Sequence, residues 1–480
     1  MQDYCKIRIN FAGGVVSPGD LKEILIAAKK ANIPEVGLSL RQQLILHLPH
    51  QLAPMFETHI SSHGIDFQID SNKKPNLISS YVGEEVFQKG EWITGGIYKD
   101  VLDSFNYNPS LKINISDNAQ SFTPFFSGHL NFVTSQTPNF WHLFLRKPKT
   151  NLVFSCPILI FTNEIAKICK TFEDILAYNP NLSPEELFDK MPKIIFISKD
   201  EELKLPLFNL PYYEGLNRYG EKSWLGIYRR NEKFSVPFLL EMVELCLNTK
   251  LGELCFTPWK SIIIKDIEEM DRSKWSTLLA KYNINVRHAA NELNWQVEDD
   301  SPMALQLKND LASAFNEQDI RTYGICFGIK TLAKTEVFAS IMVQRRRFKL
   351  FNFIPFFIVF DISYTEDFDP NGRTKVYFAK GVQKLNLIEQ LRRSVVFYNQ
   401  QLAENRIKKF KDQIKPTETK VVQKKRVHQC KTCFSIYDQY FGDELGGIPA
   451  GIIFENLPEN YICGVCEEPK AKFRLIEIEA

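Results

Sequence analysis

Two Cys-x-x-Cys pairs, Cys430-Lys-Thr-Cys433 and Cys463-Gly-Val-Cys466, stand 29 residues apart near the end of a 480-residue chain. No other feature of the sequence constrains local folding so tightly. Two knuckles of this spacing bring four thiolates to one ion in tetrahedral geometry, which suits zinc or iron. Spacing alone does not choose between them. A segment of about fifty residues buries too little apolar surface to fold on its core alone, and a metal supplies the rest. The surrounding aromatic set, Tyr437, Tyr440, Phe441, Phe454, Tyr461 and Phe473, would exclude water from the sulfurs and so tune a redox centre. The other six cysteines, Cys5, Cys156, Cys169, Cys246, Cys255 and Cys326, lie scattered among apolar neighbours, as buried thiols do.

The length corresponds to about three domains at ~150 residues each. Apolar residues make up 44% of the chain, enough for buried cores, which excludes wholesale disorder. With 59 basic against 57 acidic residues there is no net field to draw nucleic acid or anionic lipid, so neither is expected as a partner. The most apolar run, Leu350 to Phe360, is broken by Asn352 and Pro355. It is far short of the ~20 residues that span a bilayer, and a buried strand is expected there. The first residues, Met1 to Arg8, lack the basic region and apolar run of a signal peptide. The cytoplasm is therefore the expected location, and the paired cysteines read as metal ligands rather than disulfides.

The front of the chain carries a repeat. Ile7–Phe11 alternates like a strand, Gly13-Gly14 marks a turn, and Ser17-Pro18 reads as a helix cap with proline in the first turn. Leu21, Ile24, Leu25 and Ala28 follow at helical spacing, and Val36, Leu38, Leu40 and Leu44–Leu46 read as strand. The same unit recurs 218 residues later without a gap: Ser17 matches Ser235, Leu21 Leu239, Ala28 Cys246, Ser39 Thr257, and Leu44–Leu46 Ile262–Ile264. Two such copies imply a duplicated architecture with pseudo-twofold symmetry, in which a ligand often sits between the halves. Gly13-Gly14 lacks the spaced third glycine of a dinucleotide fingerprint. His47 and His50 have no third ligand nearby in sequence. Asp299-Asp300 and Glu268-Glu269 read as solvated charge, and Arg345-Arg346-Arg347 as an exposed turn.

The tail resembles rubredoxin. The matching residues are the two knuckles, Ile436-Tyr437-Asp438, Gly442-Asp443, Gly447-Ile448-Pro449-Ala450-Gly451, Phe454-Glu-Asn-Leu457-Pro458, Tyr461, Lys470 and Phe473. The resemblance implies one iron (Fe3+/Fe2+) held by Cys430, Cys433, Cys463 and Cys466, passing one electron to or from a redox partner protein. The chain departs from the family where Phe434 and Glu467 replace the usual glycine after each knuckle, Gly464 a proline, and Tyr461 a tryptophan.

The duplicated unit resembles the ferredoxin-like half-domains of sirohaem nitrite and sulfite reductases. The residues concerned are Ile7-Arg8 before Gly13–Ser17, Leu38–Gln42 with its following strand, Phe256–Ile262, and Arg146-Lys147-Pro148-Lys149-Thr150. By that resemblance Arg8 and Arg41 would meet carboxylates of sirohaem, and Lys147 and Lys149 would face an oxyanion substrate. Family members hold a coupled four-iron cluster through Cys-x5-Cys and Cys-x3-Cys after the second half-domain, yet only Cys326 lies between Thr257 and Cys430 here.

The expected fold class is α+β. Half-domains at 1–75 and 205–275 are each followed by an α/β lobe, at 76–204 and 276–404. A basic linker at 405–427 leads to the rubredoxin-like domain at 428–480. The expected function is electron transfer by a one-iron centre attached to a nitrite/sulfite-reductase-like module. Two alternatives stand beside it: a catalytic sirohaem reductase fed by its own tail, and a zinc-stabilised interaction protein without a redox role.

Overall fold

The repeat read from the sequence is present in the backbone of the computed structural model, residue for residue. Ser17 caps the helix Pro18–Lys30 by accepting from the Asp20 amide at 3.4 Å, and Ser235 opens the helix Val236–Asn248 of the same length, each with proline in its first turn. Both helices end on a left-handed residue, Asn32 (φ 52°) and Lys250 (φ 59°). Each then turns into a strand through an amide bonded back into the helix, Ile33 N to Ala28 O and Leu251 N to Cys246 O. The next turns match as well. Gln42 (φ 57°) and Lys260 (φ 53°) both adopt positive φ, and Ser39 N–Gln43 O and Thr257 N–Ser261 O close the two loops at 3.0 Å.

The two copies exchange strands. Val15–Val16 pairs with Leu254–Cys255, and its counterpart Lys233–Ser235 pairs with Glu35–Gly37. Each five-stranded sheet is thus completed by the other copy: Lys233–Ser235, Glu35–Leu38, Leu44–Pro49, Tyr4–Ile9, Phe67–Ile69 in one, and Val15–Val16, Leu254–Phe256, Ile262–Ile267, Lys222–Ile227, Gly215–Tyr219 in the other. One continuous core, including Leu21, Ile24, Leu239, Met242 and Trp275, lies beneath both. Reciprocal pairing of this kind makes neither half a complete folding unit.

Each half leads into a lobe with the same strand pattern. In the first, Asn76–Ser79, Lys112–Ser116 and Leu130–Thr134 run parallel, and Phe140–Arg146 and Val153–Phe161 return antiparallel. In the second, Trp295–Val297, Phe327–Lys330 and Ile341–Leu350 run parallel, followed by antiparallel Ile354–Thr365 and Lys375–Val382. The α+β class and the duplication are as expected.

The structure describes all residues except 1–3, 72, 74, 88–89, 148–149, 151, 333–334, 351–353, 414–423 and 480, and the chain divides into two units, Met1–Tyr398 and Asn399–Ala480. Of the segment expected as a basic linker, 405–413 continues the helix Leu387–Gln413 and 424–427 opens the strand Lys424–Cys430; 414–423 lies outside the described residues. The second unit carries a three-stranded sheet in the order Ile436–Tyr437, Lys424–Cys430, Phe473–Glu479. No helix among the described residues is long and apolar enough to cross a membrane.

Three expectations are corrected. The run Leu350–Phe360 is not one buried strand: 351–353 lie outside the described residues, Leu350 ends one strand and Ile354 begins the next, antiparallel to it, and Phe357 and Ile358 on the second strand are exposed. Arg345–Arg347 lies inside the strand Ile341–Leu350 rather than in a turn, with Arg346 paired to Asp361 at 2.5 Å. Asp299-Asp300 is not solvated charge. Asp299 is buried and accepts from the Leu40 amide at 3.0 Å, while Asp300 meets Lys6, His47 and Lys233.

Candidate metal centre

The knuckles are built by backbone. Cys430 ends the strand Lys424–Cys430, and the Phe434 amide turns back to its carbonyl at 3.0 Å; the Glu467 amide does the same to Cys463 at 2.8 Å. These turns require a left-handed residue after each second cysteine. Phe434 (φ 62°) and Glu467 (φ 59°) supply it, at the positions where glycine is the unstrained choice.

The four sulfurs converge, all lying within 4.8 Å of one another. Cys430 Sγ stands 3.6 Å from Cys466 Sγ, and Cys433 Sγ 3.5 Å from Cys463 Sγ. These are the edges of a tetrahedron, not disulfides: metal–sulfur bonds of ~2.3 Å give edges of about 3.8 Å. Cys430 and Cys463 are buried, and Cys433 and Cys466 are half-exposed. Ser435 was not anticipated from the sequence. Its hydroxyl sits between two sulfurs, 3.1 Å from Cys433 and 3.0 Å from Cys463, and holds the Cys433 thiol below its usual range. The only available signal was a small hydroxyl residue two positions after a knuckle cysteine.

The floor of the site is a small core of Tyr437, Leu457 and Tyr461, with Phe454 and Phe473 against it. The departures at Tyr461 and Gly464 are coupled through Asp443. The Tyr461 hydroxyl donates to Asp443 Oδ2 at 2.6 Å, the amides of Gly446 and Gly464 also face this carboxylate, and a Cβ on Gly464 would come within 2.8 Å of Asp443 Oδ1. A proline at 464 could donate no amide.

In the first unit, Arg8 is buried, with Nη1 directed at the carbonyls of Ser71 (3.2 Å) and Lys73 (3.5 Å). Arg41 is buried too, and its Nη2 donates to Asn76 O at 2.6 Å and Ile113 O at 3.2 Å, with Asn114 Oδ1 beside Nη1 at 3.3 Å. Desolvation, with Arg146 nearby, lowers the Arg41 guanidinium to about 9. Lys147 is exposed beyond the end of the strand Phe140–Arg146; Lys149 lies outside the described residues.

A cavity of about 220 Å³ opens between the two lobes, lined by Arg146, Lys330, Arg373, Lys375 and Glu336, the last paired to Lys112. Arg146 and Arg373 were not among the residues singled out for this role. The lining suits an anion. Its volume falls below the ~300–1,000 Å³ of sites for drug-sized ligands. Cys326 is fully buried, within 3.8 Å of Phe338 O and 3.7 Å of Ser340 Oγ, and burial pushes its thiol up to about 12. Among the described residues, the four tail cysteines are the sole cysteine cluster able to hold a metal.

A three-stranded sheet carrying two knuckles that aim four sulfurs at one point defines a single-metal tetrathiolate domain. The rubredoxin family profile matches residues 427–473, and through this segment the chain belongs to the rubredoxin family. The Rubredoxin-2 of Chlorobaculum tepidum is 44% identical over 48 residues, which cover 10% of this chain and 92% of that protein. The probable rubredoxin HupI of Bradyrhizobium diazoefficiens is 41% identical over 49 residues, 10% of this chain and 71% of its own length. The fold of the first unit has a counterpart in the NirA protein of Mycobacterium tuberculosis, with a TM-score of 0.59 and 13% identity, covering 82% of this chain and 80% of that one. This likeness is one of fold, extending over most of the chain.

Proposed function

We propose that the chain is a one-electron carrier. A single iron bound by Cys430, Cys433, Cys463 and Cys466 alternates between Fe3+ and Fe2+, taking an electron from one redox protein and passing it to another. The observation that carries this reading is the convergence of four sulfurs at tetrahedral spacing in a rubredoxin domain. Electrons enter or leave where Cys433 and Cys466 reach the surface, beside the exposed side chains of Phe434 and Val465. The reductase-like fold of the first unit supports a setting in nitrite or sulfite reduction, with the Arg146–Arg373 cavity as the place for a small oxyanion, and with Arg41 and Lys147, neighbours of Arg146 in space and in sequence, adding positive charge.

The aerobically purified full chain should be red, with about one iron per chain, and should bleach with dithionite; Cys433→Ser should lose the colour. A colourless protein carrying zinc would refute the electron-carrier reading. For the cavity, the Arg146→Ala/Arg373→Ala variant should lose sulfite binding measured by calorimetry. Unchanged binding would remove the oxyanion from the proposal and leave the iron centre untouched.

A further inference from the structure

The first half-domain carries a second constellation of ligand atoms, far from the cysteines in sequence. His59 and His63 lie four residues apart, at the end of the helix Ala53–Ser62 and its capping residue, and so share one helix face. Glu23, from the helix Pro18–Lys30, stands opposite, with Oε2 at 3.3 Å from Nε2 of both histidines. The three ligand atoms lie within 4.8 Å of one another.

Three details distinguish this group from an ordinary ion pair. First, the spacing: zinc bonds of ~2.05 Å to imidazole and carboxylate give tetrahedral edges of about 3.3 Å, the separation found on both histidine–glutamate edges. Second, the His63 ring is held by its other nitrogen: Nδ1 is 2.9 Å from the His59 carbonyl and 3.2 Å from Ser62 Oγ, which turns Nε2 toward Glu23. Metal-bound histidines are oriented by this kind of backbone bond. Third, His59 Nε2 is shielded from solvent and has no hydrogen-bond partner among the described residues, although the carboxylate is 3.3 Å away. A buried ring nitrogen in that state is costly unless something else satisfies it.

We propose that Glu23, His59 and His63 form a binding site for a divalent transition-metal ion, with zinc the expected occupant. Two imidazoles and a carboxylate leave a fourth position, which faces solvent past the partly exposed Glu23 and His63 and would hold water. The site is not hydrolytic. In zinc peptidases with two histidines at this helical spacing, a glutamate directly after the first histidine is the general base, whereas here that position is Ile60, fully buried in the core. The ion instead ties the helix Ala53–Ser62 to the helix Pro18–Lys30 across the face of the half-domain.

The test uses the full chain loaded with iron, so that the four cysteines are occupied, titrated with Zn2+ by calorimetry. One saturable equivalent is expected. His63→Gln, at a partly exposed position, and Glu23→Gln should each weaken it by more than the ~10–100-fold typical of losing a mere supporting contact. Their circular dichroism in EDTA should match the parent. Co2+ should give weak ligand-field bands without thiolate charge transfer. Absence of a saturable zinc site, binding unchanged in both variants, or cobalt bands of thiolate type would overturn the assignment. None of these results bears on the iron centre, whose colour is read separately.

Discussion

Phe434 and Glu467 offer a quantitative test of how the knuckles are held. Both adopt φ near +60°, and both side chains are exposed, so replacing them removes little buried surface. A residue with a Cβ in the left-handed region costs about 1–2 kcal/mol. Replacement by glycine relieves this and returns about 0.4–1 kcal/mol through the greater freedom of the unfolded chain. The net gain is about 0.5–1 kcal/mol for Phe434→Gly and the same for Glu467→Gly. The assay is guanidinium unfolding of the iron-loaded full chain, followed by loss of the iron–thiolate absorbance. With a slope of ~3 kcal/mol per M, a gain of 1 kcal/mol moves the midpoint up by about 0.3 M at unchanged slope. The double variant measures whether the two gains add, which is not guaranteed for knuckles that share one ion. Midpoints that fall in both single variants, with slope unchanged, would show that the side chains contribute more than their backbone strain costs, and the reasoning would fail.

Ser435→Ala removes a hydroxyl lying within 3.1 Å of two sulfurs; hydrogen bonds to thiolates favour the reduced centre, so spectroelectrochemical titration should find a lower potential. Glu232 is partly buried between Lys260 and Lys308, at 2.7 and 2.9 Å. Burial raises its carboxyl, but the two ammoniums outweigh this and hold it below the usual 4.5. Its stabilising contribution is therefore complete above pH 4.5 and is lost as pH falls through the folded-state value. Glu232→Gln, which leaves the buried Lys308 ammonium without its carboxylate and Lys260 with Asp299 at 3.7 Å, should cost about 3–5 kcal/mol and flatten the acid limb of the thermal stability profile. Arg41→Ala leaves the carbonyls of Asn76 and Ile113 without their guanidinium donor and opens a void. About 3 kcal/mol or more should be lost in calorimetric melting, and Arg41→Lys should not restore it, because a point charge cannot satisfy the same carbonyls.

The parts of this molecule legible in the sequence are those fixed by local chemistry. The repeat showed because capping serines, apolar helix positions and strand alternation are local signals, and the structure adds matching left-handed residues at 32 and 250 and at 42 and 260. The tail showed because thiolates at knuckle spacing admit few structures. What stayed hidden depends on partners distant in sequence. Asp299 read as solvated because its neighbour is acidic, yet its partner is the Leu40 amide, 259 residues away. Arg345–Arg347 read as a turn because charge runs usually do, but Asp361 on the adjacent strand makes it a ladder position. His59 and His63 carried a helical spacing that became chemistry only when the fold placed Glu23 across from them.

The ten cysteines fall into two chemically distinct groups. The six in the first unit are all buried. The thiols of Cys156, Cys169, Cys246, Cys255 and Cys326 are pushed above their usual range, mainly by desolvation. Such thiols pack as small apolar side chains and resist the deprotonation that ligation requires. They belong to different cores: Cys5 and Cys246 lie under the half-domain sheets, while Cys156, Cys169, Cys255 and Cys326 pack with the lobes. No shift of rotamers gathers four of them around a cluster. The tail has the opposite arrangement, with four sulfurs already assembled and two of them reaching solvent. An iron held there stores one electron, so any reduction needing several must draw them in successive encounters or from another protein. On the electron-carrier proposal, the surface around Cys433 and Cys466 is where a redox partner would approach.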